Sequence, residues 1–189
     1  MAVSMSERSI EPAEARSIVG IFGAVWGLAG LTALLLFAIY RLGNMGIAAF
    51  GYELDWRHWT LLIVNSLFMA HGEGYRGFQK SYAPRVVARA RHMMDNPEPL
   101  RVILAPLFVM GFFATTRRRL ISAYLLTAMI VTLIIIFQQL SQPWRGMLDI
   151  GVVIGLTWGV ISIIIFTVKG FSGGPFDHSP EMPGSESTD

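Results

Sequence analysis

Apolar positions in this chain come in long runs rather than in alternation, and the length of each run sets what it can build. A bilayer core about 30 Å thick takes roughly 20 apolar residues as helix. Three runs meet that length cleanly: 17–42, 120–140 and 147–171, each flanked by Arg or Lys. A fourth, 57–78, is continuously apolar only over 59–70, and even there Asn65 and Ser66 interrupt it. To cross, it must carry His71, Gly72, Glu73 and Gly74 into the inner leaflet. The fifth, 100–116, leaves fifteen residues between Arg101 and Arg117, broken by Pro106 and Gly111. At helical rise that covers about 22 Å, a length typical of re-entrant or interfacial segments.

Between the fourth and fifth runs, 84–94 has the pattern of an amphipathic helix. Pro84 suits a first helical position. Arg85, Arg89 and His92 share one face, and Val86, Ala90, Met93 and Met94 share the other. Pro97 and Pro99 then stop it. Beyond Phe171 the chain is Gly, Ser, Pro and acid, a composition that predicts disorder. The pattern therefore predicts an all-α integral membrane protein with four transmembrane helices plus one re-entrant or interfacial segment, five transmembrane helices being the alternative. A polar N-terminus (1–16) precedes the membrane domain (17–171) and a polar tail (172–189) follows it. The first run is longer than a signal-peptide core and lacks a small-x-small site after it, so it reads as a retained span.

Charge orients this arrangement. If 100–116 crosses, nine basic residues face the cytoplasm and six face outward; if it dips in and returns, the division is twelve to three. Basic residues resist translocation, which favours the second arrangement, with both termini cytoplasmic in the inner (plasma) membrane. Tyr40, Tyr52, Trp56, Trp59 and Trp144 then fall at the outer interface, and Tyr75, Tyr82 and Phe171 at the inner one.

Composition adds exclusions. Hydrophobic residues make up 53% of the 189 and charged ones 15%, against about 25% charged in soluble domains. There is no cysteine, so disulfides, thiolate catalysis and Cys-ligated metals are out. His58 and His71, thirteen residues apart, fall on different faces of one helix, so they do not make a haem pair. No H-E-x-x-H, G-x-S-x-G or P-loop pattern appears. No cofactor, metal or nucleic acid is expected, and no enzyme.

Two kinds of constellation remain. Gly20, Gly23, Gly27 and Gly30 recur every three or four residues in the first span, as do Gly151, Gly155 and Gly159 in the last. Such faces let helix backbones close up where lipid supplies no hydrophobic drive, within one chain or between copies in a homo-oligomer. The second is Glu73, past the midpoint of its span, with His71, Arg76 and Asn65 around it. An ionisable group at that depth suggests a proton or cation site. The competing reading is a structural ion pair with Arg76, three residues on. Arg85, Arg89, Arg91, Arg117, Arg118 and Arg119 are placed to meet anionic lipid headgroups. The expected function is a non-catalytic membrane subunit or scaffold that binds other helices and anionic lipid. The alternative is a small transporter or channel subunit with a proton- or cation-linked Glu/His site.

Overall fold

The computed structural model describes residues 18–172 and 178–180. The polar N-terminus (1–16) and most of the tail predicted to be disordered lie outside the described residues. No strand occurs among the described residues, which form α1 (Ile18–Ala49), α2 (Trp56–Met69), α3 (Ala83–Asp95), α4 (Pro99–Ile103), α5 (Ala105–Met110), α6 (Arg117–Gln138) and α7 (Trp144–Phe171). A π-helical segment, π1 (Ala70–Tyr82), joins α2 to α3. Its flanking residues Met69 and Ala83 keep right-handed helical angles, so α2, π1 and α3 form one unbroken rod.

Asp55 starts that rod. Its carboxylate accepts hydrogen bonds from the backbone N–H groups of Arg57 (3.0 Å) and His58 (3.2 Å), while its own N–H donates to His58 Nδ1. Two otherwise orphaned donors at the helix start are thereby satisfied. The long helices α1 and α7 run antiparallel and meet through small residues at one end. A Cβ on Gly46 would sit 2.6 Å from Ile150 Cγ1, and one on Gly146 would sit 2.9 Å from Met45 O.

Both glycine faces are used inside the chain, but they do not face each other. Gly23 lies against Val102 and Met93, Gly27 against Val109 and the Ala105 carbonyl, and Gly30 against Pro106. The α1 glycines thus receive α3, α4 and α5. The α7 glycines receive the rod: Gly151 lies against Asn65, Gly155 against Glu73 and Gly159 against Phe78. Leu31, Val86, Met93, Phe108 and Ile163, each under 2% exposed, form the core where these elements converge.

The 100–116 run does not make one helix. Two short helices run beside α1, and the chain then reverses at Gly111 (φ 87°) and Ala114 (φ 49°). Left-handed backbone costs glycine nothing, which suits Gly111 to end α5. At five and six residues, α4 and α5 are too short to cross a bilayer. The helices long and apolar enough to do so are α1, α6 and α7. The rod falls short of that standard because polar residues begin at Asn65. Of these three, α6 has no buried residue at all.

Candidate functional site

A cavity of about 410 Å³ opens between α6 and the rest of the bundle. Its apolar wall includes Leu31, Leu34 and Leu35 of α1, Leu156 of α7, and Leu126 and Ile130 of α6. Its polar wall follows one face of the rod through Glu73, Gly77, Ser81 and Arg85, and is completed by Arg89 and by Arg119 on α6. Three arginines and one glutamate therefore line the same space.

Glu73 is partly buried and lies against α7, where a Cβ on Gly155 would be 3.4 Å from its Oε2. The ion pairs among the described residues join Asp55 to His58, Glu98 to Arg101 and Asp149 to Arg145, and none includes Glu73. The expected pairing with Arg76 does not form. Hydrogen bonding from i to i+5 widens the turn in π1, so a residue three positions on no longer stands beside Glu73. Lys80 instead lies over the Tyr75 ring at 4.6 Å.

The other residues singled out with Glu73 do not gather around it. His71 is exposed, with its ring 5.9 Å from that of Tyr75. Asn65 fastens α2 to α7 by donating from Nδ2 to the Leu148 carbonyl at 3.0 Å. Arg76 is exposed.

Of the six arginines expected at headgroups, Arg117, Arg118 and Arg119 are exposed, and Arg85 and Arg91 are partly exposed. Arg85 donates to Ser81 Oγ at 2.9 Å. Arg89 sits elsewhere: it is 3% exposed. It donates to the carbonyls of Phe108 (2.7 Å), Phe113 (2.8 Å), Ala114 (3.2 Å) and Pro180 (3.1 Å). Its guanidinium also lies 4.3 Å from the Phe108 ring centre. The amphipathic pattern put Arg89 on an outer face, yet the reversal after α5 leaves a group of carbonyls that a planar five-donor fork satisfies.

At the far end of the bundle the structure buries a second polar group. Asp149 is 3% exposed and His58 8%. Arg145 Nε and Asp149 Oδ2 are 3.7 Å apart, and neither has a hydrogen-bond partner. The only signal for this in sequence was the four-residue spacing of Arg145 and Asp149. No three His, Asp or Glu side chains among the described residues are grouped to hold a metal. The chain matches no family model, no curated protein and no solved structure.

Proposed function

We propose that this chain is a non-catalytic membrane subunit that holds an anionic lipid between α6 and its helical core. In this reading α1, the α2–π1 stretch, α6 and α7 cross the inner membrane, α4 and α5 form a re-entrant hairpin, and both termini are cytoplasmic. The open faces of α6 meet lipid or further membrane helices.

The observation that carries the reading is the cavity, with guanidinium groups on one wall and leucines on the other. Its volume is in the range of ligand pockets, with room for a headgroup and the first acyl carbons. Along α6, Arg119 and Ile130 are eleven residues apart, about 16 Å at helical rise. That spacing matches a ligand with a charged head and an apolar chain. A basic side chain near an anionic membrane surface contributes about 1 kcal/mol.

The test is lipid retention. Purified in mixed micelles, the chain is expected to enrich phosphatidylglycerol over phosphatidylcholine, and Arg85→Gln with Arg119→Gln should reduce that enrichment about tenfold or more. Unchanged enrichment, or displacement of the lipid by millimolar inorganic phosphate, overturns the reading.

A second reading, a small transporter or channel subunit with a proton- or cation-linked site, is favoured by one observation. Glu73 lines the same cavity without an ion-pair partner among the described residues.

A further inference from the structure

Glu73 shares its cavity with Arg85, Arg89 and Arg119, and among the described residues it is the only acid lining that space. Any anion drawn in by the guanidinium groups enters the field of this carboxylate. Inside a bundle, where water screens poorly, like charges within a cavity's width repel strongly. Protonating the carboxylate removes that repulsion. Two ligands that alter each other's affinity through one site do so reciprocally.

We propose that Glu73 and the cavity arginines form one linked site, in which an anionic lipid and a proton bind together. The inference rests on the lipid reading above and adds a regulator to it: lipid binding tightens as pH falls, and lipid entry draws a proton onto Glu73. The surroundings of Glu73 leave few competing sources of such linkage. Facing it, α7 carries no charged residue between Asp149 and Lys169, α1 carries none from Ile18 to Tyr40, and α5 carries none. On its own rod His71 and Arg76 are exposed, and Lys80 lies over the Tyr75 ring. His92 on α3 also gains charge on acidification. It would act in the same direction as Glu73, so the test must separate the two.

The probe is a fluorescent phosphatidylglycerol bound to the full chain in phosphatidylcholine nanodiscs, with fluorescent phosphatidylcholine as control. Its phosphodiester keeps one negative charge between about pH 5 and about pH 9. Native chain is expected to bind it on the order of tenfold tighter at the acid end, the effect of removing one like charge about 10 Å away at an effective permittivity near 20. Glu73→Gln should bind with the acid-end affinity at both pH values, and Glu73→Asp should keep the pH dependence. Adding the probe to native chain in weak buffer should take up protons, a readout that needs no variant to fold.

A pH ratio of one, or a ratio that survives in Glu73→Gln, overturns the linkage. If Arg85→Gln with Arg119→Gln still weakens binding in that case, the lipid reading stands alone. If phosphatidylglycerol binds no better than phosphatidylcholine in any form, both fall together.

Discussion

Helices α1 and α6 are both apolar enough to cross a bilayer, and the most apolar stretch of α6 has the higher mean hydropathy. Yet α1 buries Gly20, Gly23, Ala24, Gly27, Leu31 and Leu35 along one side, and α6 buries nothing. The difference lies in side-chain size. Glycine at every third or fourth position lets α3, α4 and α5 approach the α1 backbone, whereas α6 contains no glycine. Apolarity places a helix in lipid, but lipid competes equally well for its leucines, so close packing depends on small residues. The space that the bare helix leaves beside the core is the cavity.

Removing the clasp on the packed side should separate the two regions most sharply. Arg89→Gln strips the guanidinium from four carbonyls and leaves several of them buried without donors. Hydrogen bonds to a charged group contribute about 1.5–3 kcal/mol each, and orphaned acceptors add to the loss. A destabilisation of about 3–4 kcal/mol is expected. Amide exchange should speed up across 105–116 while 120–137 stays as it was. Arg89→Lys should not rescue, because a single ammonium cannot reproduce the planar fork. Equal loss of protection in α6 would mean that the two regions are not independent.

Next in size is a matched pair of substitutions. In Gly27→Leu the first added carbon meets Val109 Cγ1 at 3.0 Å and the Ala105 carbonyl at 3.1 Å, so the α5 backbone must move. Overpacking of this kind costs about 2 kcal/mol. Ala128→Leu on α6 enters open space and should change stability by less than about 0.5 kcal/mol. Thermal unfolding of the two variants in the same detergent reads the contrast directly, and similar losses would end it.

What could be read from the residues alone follows the same division. The positions of α1, α6 and α7 were legible as apolar runs of spanning length, although α1 continues past Arg41 to Ala49, beyond the expected end at Leu42. The glycine faces were legible as places of close approach, but a missing side chain does not say what fills the gap. Helices α1 and α7 do pack on each other, but Gly23, Gly27 and Gly30 receive α3, α4 and α5, and the α7 glycines receive the rod. Arg89 was misplaced for a related reason. Helical periodicity treats the polar side of 84–94 as outward, whereas the carbonyls it satisfies lie 19 to 91 residues further along the chain. The Glu73–Arg76 pairing assumed α-helical spacing. The wider turn of π1 goes with close packing on α7, where Gly74 receives Trp158 and Gly159 receives Phe78, and nothing local in 70–82 encodes that.

The smallest expected effect is a pH slope confined to the packed side. His92 on α3 has its imidazole pKa lowered, first by burial and then by the positive charges of Arg101 and Arg89, with Asp95 and Glu98 opposing. The unfolded chain therefore takes up this proton before the folded one does. As pH falls through the ordinary histidine value near 6.5, the stability that neutral His92 contributes begins to drain away, and the loss is complete once pH passes below the folded pKa. His92 is only partly buried, so solvent screening keeps the change small, about 1 °C in melting temperature. His92→Gln should flatten that part of the curve. Helix α6 contains no histidine, so protection across 120–137 should not move over the same range. A pH slope in α6 that matched the one around α3 would show that the bare helix is coupled to the core after all, and the cavity would then be a seam between packed surfaces.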